Sequence, residues 1–172
     1  MTTPRDVWLH AGQDLLRDGG VVAVKLQALT DRTGLTTGSF YHHFRSTAAF
    51  LDELAGFFGT DQVQAHLATL AGADPRDRLR GLIAIARRER MGALDAAMRD
   101  WAGSNPRAAA AVRAADAQLL QFVADAFEDL GHERADARLR AHLLQSWGVA
   151  RVMPPWRVLA ADAERVLAIL AP

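Results

Sequence analysis

The stretch 34-GLTTGSFYHHF-44 decides how the rest of the 172-residue chain is organised. It sets a glycine, two threonines and a serine ahead of a Phe-Tyr-His-His-Phe run. Glycine ends helices in the left-handed conformation, and a threonine hydroxyl can cap the helix that follows. Phe40 and Phe44 stand four apart, the spacing that places two side chains on one helix face. With these two inward and Leu35 closing the corner, Thr37, Gly38, Ser39, Tyr41, His42 and His43 take exposed or flanking positions. The pattern predicts two short helices joined by a tight turn, the second capped by Thr36.

The same punctuation continues outward. Upstream, a short helix over about Lys25 to Thr33 turns Leu26 and Leu29 inward and stops at Gly34. Before it, Thr3-Pro4-Arg5-Asp6 supplies a cap, a proline at the first helical position and an acid for a capping box. Val7, Ala11 and Leu15 mark that helix's expected apolar face, and Gly19-Gly20 ends it. Downstream, Ser46 caps a helix bearing Phe50, Leu51, Leu54, Phe57 and Phe58, in which Gly56 and Gly59 are points of bending. Asp74-Pro75 and Asn105-Pro106 are cap-plus-proline starts. Leu79, Leu82, Ile83 and Ala86 follow the first, then Leu94, Ala97, Met98 and Trp101. A long helix follows the second, from Val112 through Phe127 to a stop at Gly131. Further helices are expected over about His132 to Val152, before Met153-Pro154-Pro155, and over about Ala160 to Leu170. No segment alternates with period two, so the fold class is all-α.

Composition limits the function classes. Half the residues are hydrophobic and 23% are charged, ordinary for a globular chain. No cysteine is present, which removes disulfides and thiolate metal sites. The N-terminus MTTPRDVW lacks the basic-then-apolar order of a signal peptide, and no apolar run has the length of a membrane span. A soluble, cytoplasmic protein is expected.

Two short helices joined through Gly34-Leu35-Thr36 match a helix-turn-helix, whose second helix can enter the DNA major groove. Hydroxyls, imidazoles and a helix N-terminus can all bind phosphate oxygens, and Gly38 would let the backbone approach closely. The simpler account is a helix within a bundle whose polar residues are merely solvated, but the segment supplies the turn, both caps and the following helix. A metal at His42-His43 fails on geometry, because adjacent residues project about 100° apart on a helix. No His-Glu-x-x-His spacing, nucleophile elbow or glycine-rich phosphate loop exists, so neither enzymatic activity nor a cofactor is expected.

The segment 26-LQALTDRTGLTTGSFYHHFRSTAAFLDEL-54 resembles the DNA-binding domain of TetR-family transcriptional regulators. The resemblance covers about the first third of the chain. It implies a homodimer with an N-terminal three-helix helix-turn-helix domain at residues 1–48 and a larger helical ligand-binding and dimerisation domain at 49–172. On it, Thr36 caps the recognition helix, and Thr37, Ser39, Tyr41 and His42 meet phosphates or base edges. Gly38, Arg45 and Lys25, the only lysine, complete the expected DNA-contacting set. The family often places a lysine after the serine that opens the fourth helix; here Thr47 follows Ser46, so that contact is lost or replaced by Arg45. Residues 1–55 hold five Arg or Lys against six Asp or Glu, so this domain is not basic.

The C-terminal part is less specific. Met98, Trp101, Phe122, His142, Gln145 and Trp147 are the candidate ligand-binding residues, although helical spacing alone accounts better for any one of them as core between helices, and His142 and Gln145 could equally cross a dimer interface. Met153 and Trp156 are further pocket candidates. Arg87-Arg88-Glu89-Arg90 is expected to be solvated helix surface. By analogy with the family, Leu139, Leu143, Ser146 and Ala150, with Val166, Leu167 and Leu170, form the dimer interface. The expected function is a regulator, a repressor released from a palindromic double-stranded operator by a small molecule. The alternative is a same-fold helical protein that has lost DNA binding and serves as a small-molecule or protein-binding module.

Overall fold

The computed structural model describes residues 3–58, 63–149 and 160–171. Among them lie ten α-helices and no strand. In order they are α1 (Pro4–Gly19), α2 (Leu26–Thr33), α3 (Thr37–His43), α4 (Thr47–Phe57) and α5 (Val63–Leu70), then α6 (Pro75–Arg88), α7 (Met91–Ala102), α8 (Pro106–Asp129), α9 (Arg134–Val149) and α10 (Ala160–Leu170). The all-α architecture with an N-terminal helix-turn-helix is therefore as expected.

Local chemistry explains most boundaries. The Thr3 hydroxyl accepts from the Asp6 amide at 3.2 Å while the Thr3 amide donates to the Asp6 carboxylate at 2.8 Å, a complete capping box. That pair of hydrogen bonds, the backbone one first, holds the Asp6 carboxyl below the usual carboxylate range. The Asp74 carboxylate accepts from the Arg76 amide at 3.0 Å, and Asn105 accepts from the amides of Arg107 and Ala108.

Three expectations are corrected. Val7 is 37% exposed and Leu15 only partly buried; the buried face of α1 is Trp8, Leu9, Ala11, Gly12, Gln13 and Leu16, rotated by about one residue. Bulk decides this, because Trp8 buries more area than Val7 could. Helix α5 has no counterpart in the expected list, and it buries none of its residues fully. The Arg87–Arg90 run is a break rather than a continuous helix surface. Helix α6 ends at Arg88, and Arg90 adopts a left-handed φ of 52° before α7 begins.

The chain packs as two compact units. The first joins Met1–Gln62 with Ala93–Ala115, and the second joins Val63–Gly92 with Asp116–Pro172. Helix α7 and the first part of α8 thus belong with the N-terminal helices. These packing units differ in outline from the segments 1–48 and 49–172 expected from the sequence.

In the first unit, α1 packs on α2 and α4. Gly12 makes the α1–α4 approach possible, since a Cβ there would lie 2.8 Å from the Phe50 ring. The second unit has an alanine-rich core: Ala124, Ala126, Ala137, Ala141 and Ala171 surround Leu79, Val123, Phe127, Leu144 and Leu167. Small residues let the helices come close, and Phe127, fully buried, fills the remaining volume. The nearly buried Arg78 pairs with Asp129, and the last turn of α10 is tied down from two sides. The Arg76 guanidinium donates to the Ala171 carbonyl at 2.8 Å, and Arg140 donates to that of Leu170.

Candidate nucleic-acid interface

The turn between α2 and α3 is built from backbone requirements. Gly34 closes α2 at φ 68°, its amide donating to the Thr30 carbonyl at 2.9 Å. The Thr33 hydroxyl donates to the Leu29 carbonyl at 2.8 Å and accepts from the Leu35 amide at 3.2 Å, so one side chain satisfies both sides of the corner. The Thr36 hydroxyl accepts from the Ser39 amide at 3.2 Å and opens α3. The Ser46 hydroxyl accepts from the Ala49 amide at 3.0 Å and opens α4.

An aromatic cluster fixes the roll of α3. Phe40 is fully buried, edge-on to Trp8 at 5.4 Å, 5.1 Å from Phe44 and 5.4 Å from Phe50. Phe44 meets Phe50 edge-on at 4.9 Å. Such pairs each add about 0.5–1.5 kcal/mol beyond the area they bury. With those two rings anchored inward, the opposite face of α3 must point outward. Thr36, Thr37, Gly38, Tyr41, His42 and Arg45 are exposed, and Ser39 is half-buried. Tyr41, 51% exposed, rests edge-on against Phe40 at 5.4 Å, so its ring is held while its hydroxyl reaches solvent. Lys25 is exposed at the N-cap of α2. All eight sequence-derived DNA-contact residues lie on the two helices and the turn of this motif or directly beside it.

The charge pattern sharpens the picture. Arg17 pairs with Asp14, while Arg32 reaches Asp14 at 3.7 Å and Asp18 at 3.3 Å. Arg5 pairs with Glu53, its guanidinium 5.8 Å from the centre of the Phe44 ring, and Arg107 meets Asp52 at 3.3 Å. Residues 34–45 contain no acid at all. Thus the six acids of residues 1–55 lie off the exposed row, and Lys25 and Arg45 carry no ion pair among the described residues. One neighbour was missing from the expected contact set. His43 is half-buried, its ring edge-on to His42 at 5.0 Å. Its place beside His42 and ahead of Phe44 was the available signal.

The expected ligand residues do not gather in the same way. Met98 (fully buried) and Trp101 belong to the first unit and are core. Phe122, His142, Gln145 and Trp147 belong to the second. There Phe122 is half-buried beside the core, Gln145 donates to Asp116 at 3.2 Å, and His142 and Trp147 are exposed on α9. A cavity of about 100 Å³ in the second unit is lined by Arg76, Leu79, Arg80, Glu164, Leu167, Ala168 and Ala171, none of them in the expected set. Met153 and Trp156 lie outside the described residues, as do Ala150 of the expected dimer contacts and Gly59 of the expected hinge.

A short helix anchored by buried rings, presenting hydroxyls and imidazoles and flanked by Lys25 and Arg45, has the form of a helix-turn-helix DNA-binding motif. Residues 9–54 match the model for bacterial regulatory proteins of the tetR family. The chain is 31% identical over 160 residues to the tetracycline repressor protein class C of Escherichia coli, covering 93% of this chain and 69% of that one. A transcriptional regulator from Rhodococcus sp. superimposes with a TM-score of 0.70 at 20% identity, over 98% of this chain and 94% of that one. The reduced form of Escherichia coli NemR gives 0.66 at 18% identity, over 96% and 91%. The ketosteroid transcriptional regulator KstR2 of Mycobacterium tuberculosis gives 0.62 at 22% identity, over 99% and 94%. The structural likenesses speak to the fold; the sequence match establishes kinship. The chain belongs to the TetR family and is a DNA-binding transcriptional regulator.

Proposed function

We propose that the protein is a homodimeric repressor that binds a palindromic operator through residues 1–48 and is released by a small molecule bound within residues 49–172. The observation that carries the DNA-facing assignment is the Phe40–Phe44 anchor, which turns Thr37, Gly38, Tyr41 and His42 outward as one acid-free row. Lys25 and Arg45 flank that row as phosphate contacts, Thr36 caps it, and Ser39 sits at its inner edge.

Two such rows in a twofold dimer would occupy successive major grooves about one DNA turn, about 34 Å, or a modest multiple of it, apart. The subunit contact is proposed on α9 and α10. Leu139, Leu143 and Trp147 stand four apart and are 57%, 50% and 40% exposed, with His142 and Ser146 beside them. On α10 the outward residue is Ile169, 75% exposed; Leu167 is core, and Val166 and Leu170 are half-buried against it. Phe122 and Gln145 are the proposed effector-facing residues, while the exposed His142 and Trp147 fit the subunit contact better. An effector that favours a wrongly spaced dimer weakens DNA binding, and by linkage DNA weakens effector binding by the same factor. Gly56, exposed on α4, is one place where that helix can bend.

The test is selection from a pool of random duplexes with the full-length protein. Enrichment of an inverted repeat is the expected result. Enrichment of single, unpaired half-sites would contradict the dimeric operator, and no enrichment would contradict sequence-specific binding by this row.

A further inference from the structure

We propose that the His42–His43 pair is the titratable part of the charge with which this domain meets phosphate, so that operator binding takes up protons and strengthens on acidification. The inference rests on the DNA-facing assignment of α3 and deepens it.

The domain is short of fixed positive charge where it is needed. Of the five cations in residues 1–55, Arg5, Arg17 and Arg32 are paired with Glu53, Asp14 and Asp18. Lys25 and Arg45 remain, two per subunit. Non-specific affinity for DNA comes mainly from neutralised phosphates, so a dimer with four such cations binds weakly by that route. Two imidazoles sit at the end of the exposed row, in the last turn of α3, where the helix carbonyls favour a positive charge. Histidine is the side chain whose charge ordinarily changes between about pH 5 and 8.

His42 is exposed and His43 half-buried beside it, its ring also against Phe44. On their own segment the ionisable neighbours are Tyr41 and Arg45. The ionisable side chains of α1 are Arg5, Asp6, His10, Asp14, Arg17 and Asp18, those of α4 are Asp52 and Glu53, and those of α2 and its cap are Lys25, Asp31 and Arg32. Each of these acids is engaged elsewhere: Glu53 with Arg5, Asp52 with Arg107, Asp14 with Arg17, Asp18 with Arg32, Asp6 with Thr3, and Asp31 with the Gln27 amide. Among the described residues no carboxylate lies within ion-pair reach of either imidazole, whereas His132 in the second unit does have one, Asp136 at 3.3 Å. The two rings are 5.0 Å apart, close enough for one phosphate group to face both. A phosphate placed against the pair favours its charged form. Binding then draws in protons, and the tighter binding of the charged form is the same linkage seen from the other side.

The experiment measures affinity of the full-length protein for a selected operator duplex by anisotropy, at about pH 6 and about pH 8, each over a salt series. Wild type is compared with His42→Gln/His43→Gln, which holds the pair neutral, and with His42→Arg/His43→Arg, which holds it charged. Wild-type affinity should rise by about tenfold or more on acidification. The slope of log affinity against log salt should steepen by up to about 3.6, at about 0.9 for each of four added charges in the dimer. The glutamine variant should lose both responses, and the arginine variant should show the steep slope at both pH values. Circular dichroism checks folding; should the glutamine variant unfold, the wild-type slopes and the arginine variant decide alone. Wild-type affinity and slope unchanged with pH would overturn the proposal, as would a full pH response in a folded glutamine variant. No duplex binding at either pH would overturn the DNA-facing assignment itself.

Discussion

At the scale of single residues, Phe40 and Lys25 divide the work of the motif. Phe40 touches Trp8, Phe44 and Phe50 and is fully buried, so Phe40→Ala removes the anchor that sets the roll of α3. A loss of about 3–5 kcal/mol is expected, read as a lower denaturant midpoint, because an alanine there leaves a cavity among rings that cannot collapse. Lys25 carries no ion pair among the described residues and no packing role, so Lys25→Ala should leave the midpoint unchanged. It should weaken binding to all duplexes alike and reduce the salt slope by about one per subunit. The anchor was legible in the sequence through the four-residue spacing of Phe40 and Phe44; the phosphate contact proposed for Lys25 rests on its being the only lysine and exposed. The status of His43 was less legible. Whether an imidazole beside a buried phenylalanine is free or matched to a carboxylate depends on where Arg5, Arg107 and their partners lie, and those pairings cross helices.

At the scale of elements, caps were the most readable features and apolar faces the least. Thr3, Thr36, Ser46 and Asp74 each cap as their position in the sequence implies, because hydroxyl or carboxylate and amide are three residues or fewer apart. Gly34 occupies the left-handed region at φ 68°, so Gly34→Ala should cost about 1–2 kcal/mol even though open space surrounds it. A thermal or denaturant midpoint measures that. Asp6 gives the helix start a pH dependence of known sign. Its folded-state carboxyl lies below the ordinary value, so its contribution is present above about pH 3.9 and is lost as the pH falls through the folded value. Asp6→Asn should therefore lower the thermal midpoint at neutral pH and converge with wild type in acid; a gap that persisted in acid would contradict the capping role. The roll of α1 escaped the sequence because two overlapping apolar stripes compete, and only the partner helices choose Trp8 over Val7. The break at Arg90 escaped because no glycine or proline marks it.

At the scale of the whole molecule, the N-terminal motif was readable and the proposed effector site was not. A recognition helix is made by contiguous residues, whereas a pocket is made by residues far apart in sequence. Trp101 and Met98 looked like Phe122 in the sequence, yet they fill the core of a different packing unit. The exposed apolar row of α9 is a whole-molecule feature too, because nothing among the described residues covers it. Leu143→Asp should place a charge in the proposed subunit contact and shift the protein toward monomer in sedimentation, with helical content kept; an unchanged dimer would move the contact elsewhere. The central claim is that the outward row of α3 holds the operator, and its most direct measurement is the operator affinity of Tyr41→Ala/His42→Ala against wild type. Removing two contacts at about 1–3 kcal/mol each predicts a loss of more than about 20-fold, with near-ultraviolet circular dichroism and melting little changed apart from the lost tyrosine. Equal affinity in the folded variant would mean that this row does not touch DNA.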